Sequence, residues 1–164
     1  LRGASGDFER IGDHAVNIQE SAQELNDKEL HFSDSAREEL QVLLSALDDI
    51  LDITLRSFQA ADTQLARQVE PLEETIDQLI EEIRTRHTQR LQTGQCTIQL
   101  GFVLSDLLTN IERVSDHCSN IAVGVIQEKD GGPGGHAYLQ EVKAGGAFSE
   151  DLRRDQKKYH LPEA

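Results

Sequence analysis

With 164 residues, 37% of them apolar, and a net charge of −14, the chain suits one domain with or without a tail. Its acidity opposes nucleic acid and anionic lipid, and two tyrosines, five phenylalanines and no tryptophan leave little material for base stacking. No run approaches the ~18 apolar residues of a membrane span, and two cysteines outside any Cys-x-x-Cys motif favour a reducing setting over a disulfide framework.

The first predicted helix runs from about Ser5 to Leu25, where Phe8, Ile11, Ala15, Ile18, Ala22 and Leu25 alternate by three and four. Asn26-Asp27-Lys28 stops it. A second helix begins at Ser33-Asp34-Ser35, with Ser35 and Glu38 spaced as a capping box, and ends near Ala60. At roughly 40 Å it suits a bundle better than a globule. A third opens at Asp62, carries Leu65, Val69, Leu72, Ile76, Leu79 and Ile83, and is expected to kink or restart at Pro71 before stopping at Gly94. A fourth spans about Thr97 to Glu128 in the register of the first. Short connections imply antiparallel neighbours. The expected architecture is therefore an all-α antiparallel bundle of long helices over residues 1–129. A Gly-rich linker and a short helical tail follow over 130–164, with helical candidates at 136–143 and 149–159. Ser149 is placed at the start of the last, and Phe148, Leu152 and Tyr159 are its anchors.

The chain repeats itself. Residues 7–18 read DFERIGDHAVNI and residues 110–121 read NIERVSDHCSNI. Glu9/Glu112, Arg10/Arg113, Asp13/Asp116, His14/His117, Asn17/Asn120 and Ile18/Ile121 are identical pairs. A long period of this kind points to a duplicated helical unit. Mostly polar identities point to a duplicated job.

At 100° per residue, Glu9 lies about 130° and Asp13 about 170° from the apolar stripe of the first helix, with Asn17 about 150° away on the other side. Glu112, Asp116 and Asn120 repeat this on the fourth. The Glu-x-x-x-Asp-x-x-x-Asn series thus faces away from its own core seam. It forms an oxygen-rich strip on the outside of the bundle or a seam toward another. Such carboxylates are usually a solvated face, and Arg10 and Arg113 stand near enough in sequence to neutralise them. Their duplication favours a metal reading, in which carboxylates one turn apart share a hard or borderline cation such as iron, manganese, magnesium or calcium. The expected ligands are Glu9, Asp13, Glu112 and Asp116, with Asn17 and Asn120 as weaker candidates. His14 and His117 are expected to pack on a neighbouring helix. His31, His87, His136 and His160 are isolated. A di-iron cage would need Glu-x-x-His pairs pointing inward, but each motif glutamate and histidine are five apart. No phosphate-cradling glycine loop, nucleophile elbow or triad order points to an enzyme.

At these motifs the chain resembles the PhoU family of bacterial phosphate-regulation proteins, whose fold pairs two three-helix units. The stretch RLQTGQC at 90–96 and the tail KYHLP at 158–162 resemble the cytoplasmic PhoU-like domain at the C-terminus of sodium/phosphate cotransporters. The resemblance implies multinuclear metal clusters, iron or zinc, at Glu9/Asp13 and Glu112/Asp116, with Asp7 and its counterpart Asn110 as weaker candidates. It also implies a regulatory role in phosphate transport on the cytoplasmic side of the inner membrane, with the transporter's membrane domain as partner and without membrane insertion of this segment. A metal-independent interaction module, or a free-standing PhoU-type regulator, is the alternative. The chain starts without Met inside a helix, as a piece of something longer would. Two helices that should precede the first motif are absent from it. The first helix is expected to join the others as a fourth member or to recruit another chain as a homo-oligomer.

Overall fold

The computed structural model describes residues 3–131 and 134–163. In chain order they form α1 (Ala4–Asp27), α2 (Asp34–Ala60), α3 (Thr63–Ala66), α4 (Val69–Gln92), α5 (Ile98–Asp130), α6 (Gly135–Lys143) and α7 (Gly146–Lys158), with no strand among the described residues. The fold is all-α, as the apolar periodicities require. Gly132, Pro133 and the side chain of His136 lie outside the description, so the linker and histidine expectations there are not addressed.

Side-chain caps set three of the helix starts. Asp62 accepts from the Leu65 N–H at 3.0 Å and Thr97 from the Leu100 N–H at 3.2 Å. At α2 the cap is Ser33, accepting from the Ala36 N–H at 3.2 Å. The expected Ser35/Glu38 box does not form, because the chain is already helical at Asp34 and Ser35 sits inside the first turn. The expected restart near Pro71 is present. α3 ends at Ala66, and Pro71 is the third residue of α4, where its missing donor has no acceptor to satisfy. Gly94, at φ +72°, turns the chain after α4. α7 begins at Gly146, one turn earlier than Ser149 suggested.

α5 is the central helix. α1, α2, α3, α4 and α6 all pack on it, and α7 lies on α4. Leu43 and Ile50 of α2, Ile76 and Ile83 of α4, and Leu104, Leu108 and Ile111 of α5 are fully buried together. The tail shares this core through Tyr138, Tyr159 and Leu161, while Phe148 and Leu152 are half-buried. α1 docks as a fourth long helix, antiparallel to α5. Its Phe8 ring meets Phe58 of α2 edge-on at 5.0 Å, and Ile11 and Ile18 lie against the core. α1 and α4 flank α5 without packing on each other.

Candidate metal centre

The second motif copy lies on the central helix beside α4, so its acids are partly screened by a neighbour, with the Glu112 and Asp116 side chains still 45% and 40% exposed. Asp116 turns toward α4 and meets Glu73 and Asp77, one carboxylate oxygen from each lying within 4.8 Å of the others. Glu112, one turn before Asp116, stands 3.7 Å from Arg84 of α4, which also donates to the Thr109 hydroxyl at 3.4 Å. Arg113 reaches Asp116 only at 4.0 Å. On α5 the strip therefore stays at the surface but borders the α4 seam. Facing away from one's own seam means facing a neighbour when the helix is surrounded. On α1, which has open space around it, Glu9 and Asp13 are exposed as expected. The two acid pairs are not brought together.

Glu73 and Asp77 are the residues that the sequence reading passed over. Each directly follows a residue of the apolar seam, Leu72 and Ile76, and looks like ordinary polar fill. Yet Glu73-x-x-x-Asp77 has the same spacing as Glu9-x-x-x-Asp13 and Glu112-x-x-x-Asp116, and that third recurrence was the available signal.

The cluster is electrostatically loaded. Burial, then the Asp77 and Glu70 charges, push the Glu73 carboxyl up to about 9, and burial pushes Asp77 up to about 6. Neutral Glu73 donates to the Asp77 carboxylate, which holds Asp77 back, whereas Asp116 and Glu112 raise it further. Oδ1 of Asp77 is buried without a hydrogen-bond partner. Around this centre, buried Glu70 accepts from the Ser119 hydroxyl at 2.6 Å. Lys143 of α6 lies 3.6 Å from Glu70 and 3.3 Å from Glu74. Three converging carboxylates with an orphaned oxygen fit a hard cation. Neither cysteine nor histidine belongs to the group, which disfavours zinc.

A prediction follows for the cation-free chain. Folded Glu73 keeps its proton over a range in which the unfolded chain has lost it, so unfolding releases a proton and rising pH favours the unfolded state. Stability is expected to fall between about pH 5 and pH 9, by at most ~1.4 kcal/mol per pH unit for this group. Urea midpoints measured in chelator should show the decline, and Glu73→Gln should flatten it. An unchanged slope in Glu73→Gln would mean that this carboxyl titrates normally.

The weaker candidates do other work. His117 Nδ1 lies 2.8 Å from an Asp7 carboxylate oxygen, which also accepts from the Asn120 amide at 3.3 Å. His14 Nδ1 lies 2.9 Å from the Asn110 carbonyl oxygen, which also accepts from the Asn17 amide at 3.2 Å. The two imidazoles stack between these sets, with centroids 5.7 Å apart. Exchanging the two motif copies maps this arrangement onto itself, so a pseudo-two-fold axis passes through the histidine pair. Asp7, Asn17, Asn110 and Asn120 therefore stitch α1 to α5, away from the carboxylate cluster. The duplicated polar residues serve two ends: Glu and Asp on one flank, helix pairing by His and Asn on the other.

Comparison with known proteins agrees with this architecture. The family model described as the PhoU domain matches residues 40–125, more than half of the chain. Phosphate-specific transport system accessory protein PhoU homolog 1 of Thermotoga maritima is 28% identical over 127 residues, covering 77% of this chain and 54% of that protein. The chain thus spans about half the length of that curated relative. No solved structure matches.

Proposed function

Since the chain belongs to the PhoU domain family, we infer that it is a non-enzymatic regulator of phosphate uptake whose Glu73, Asp77 and Asp116 hold a divalent cation between α4 and α5. The observation that carries this reading is the carboxylate cluster built by the second motif helix and its neighbour, with an oxygen of Asp77 left unpartnered. A bound cation supplies positive charge that offsets the repulsion among the three carboxylates. Iron(II), manganese and magnesium suit this oxygen-only donor set better than zinc. Glu112, one turn from Asp116, borders the site and raises Asp77 by its charge. Glu9 and Asp13 form a matching half-site on α1 that lacks a second helix, and another chain could supply one, which is the form that homo-oligomerisation would take.

The T. maritima relative is named as an accessory protein of a phosphate-specific transport system. This favours a separate regulator that acts on transport proteins from the cytoplasmic side. No described helix is long and apolar enough to cross a membrane. The finer reading, a domain at the C-terminus of a sodium/phosphate cotransporter, draws its support from the resemblance at 90–96 and 158–162.

The test removes the gene that encodes this chain from its host and measures phosphate uptake in phosphate-rich medium. Deregulated uptake, restored by the intact gene, is the expected result. Uptake indifferent to the deletion would end the assignment to phosphate regulation.

A further inference from the structure

The seam between α4 and α5 continues past the carboxylate cluster and changes character. Ile98, Phe102, Ser105, Thr109, Glu112 and Asp116 recur at three- and four-residue steps along α5 and lie on one stripe. One end of the stripe is acidic. The other is apolar and open: Ile98 is 72% and Phe102 70% exposed, the most exposed large apolar side chains among the described residues. They border a cavity of about 440 Å³ whose opposite wall is Leu91, Thr88 and Arg84 of α4.

We propose that this seam is a docking groove for an amphipathic helix of another protein, apolar at one end and basic at the other. The shape suits a helix. Two antiparallel helices form a straight trough, and a third helix fills such a trough by ridge-into-groove packing. α1 and α4 do not meet, so the side of α5 between them stays open. At Gly101 no side chain rises into the trough. A Cβ there would come within 3.0 Å of the buried His87 ring, so the floor stays low. From Phe102 to Asp116 is fourteen residues, or about 21 Å of helix, which sets the separation between the apolar and basic groups of the partner. Charge chooses the partner. Asp77, Glu112 and Asp116 outnumber Arg84 and Arg113 at the acidic end, and the chain carries −14. Anionic lipid and a second copy of this acidic chain are therefore poor occupants, and a basic segment is a good one. This surface goes beyond the cation reading and does not need it.

The test uses a fluorescein-labelled synthetic helix of about 20 residues with leucines along one face of its first third and lysines along the same face of its last third. Two controls accompany it: one of the same composition with the pattern scrambled around the helix, and one with glutamate for lysine. Anisotropy is followed against the full chain in chelator, so the result is separate from any cation and either reading can fail alone. The patterned peptide is expected to bind at least about tenfold more tightly than both controls. Ile98→Ala with Phe102→Ala should erase that preference. Both side chains are largely exposed, so far-ultraviolet circular dichroism should not change. Asp116→Asn should weaken binding and flatten its salt dependence. Equal binding of patterned and scrambled peptides overturns the proposal, as does a double variant that binds like the parent. It is also overturned if the double variant abolishes self-association in sedimentation, or flotation with phosphatidylglycerol vesicles, while leaving peptide binding unchanged.

Discussion

An Asp116→Asn chain is expected to bind manganese(II) at least about tenfold more weakly than the parent, since losing even an indirect supporter of a metal site costs 10–100-fold. Among the described residues, Asp116 is the motif acid whose carboxylate converges with those of Glu73 and Asp77. Replacing it by asparagine removes a ligand charge while keeping the side chain's size. Without the cation, the same change relieves like-charge repulsion on both α4 carboxyls, so the cation-free protein should become more stable while its affinity falls. These opposite signs separate a lost ligand from general damage, which would lower both. Glu9→Gln with Asp13→Asn is the internal control. Both side chains are exposed on α1 with no facing carboxylate cluster, so titration calorimetry should read nearly parental affinity. If the α1 pair matters and Asp116 does not, the site has been placed on the wrong helix.

Glu39→Ala is expected to destabilise the fold by about 3–5 kcal/mol, the usual cost of breaking a buried ion pair by removing one partner. Glu39 of α2 is 1% exposed. One of its oxygens accepts from Arg90 and, at 3.3 Å, from Arg86. Its other oxygen and an Arg90 nitrogen have no partner, so the group has little reserve. Arg86 also donates to the Pro162 carbonyl at 2.7 Å, which ties the C-terminal tail to the same node. In the alanine variant two arginines remain in poor solvent, and Arg86 holds the Pro162 carbonyl less firmly. For a chain of this size the melting temperature should drop by roughly 10 °C, and trypsin should cut first near Lys157 and Lys158. Glu39→Gln keeps an acceptor and should cost less. A melting temperature within a degree or two of the parent would show that the arginines find water readily.

The long helices were legible because each carries an apolar stripe of helical period, and the break before Pro71 because proline removes a donor that only a first turn can spare. Terminal residues were harder. Ser33 and Ser35 are both good caps, and only the path of the entering chain decides between them. The motif acids were read in the right direction relative to their own helix, but a helical wheel holds no information about neighbours. It could not distinguish α5, surrounded on several sides, from α1, which is open. That is why the approach of Asp116 to α4 was not foreseen, and why Glu73 and Asp77, two helical positions with an unremarkable local setting, were passed over. Asn17 and Asn120 were grouped with the acids although their angle put them on the opposite flank. The structure uses that flank to join the two copies. Family membership was legible from the motif itself, whereas the transporter context rested on short stretches at 90–96 and 158–162.

The half-turn that exchanges α1 and α5 also makes their histories unequal. Ala15 and Cys118 hold the same place in the repeat, as do Val16 and Ser119. Yet Cys118 is fully enclosed and Ser119 nearly so, while Ala15 and Val16 face water. Twin letters of one ancestral word therefore carry different burdens. On the inner helix each is pinned by what surrounds it, and on the outer one it is free to drift, so the two copies should diverge fastest where α1 lies bare.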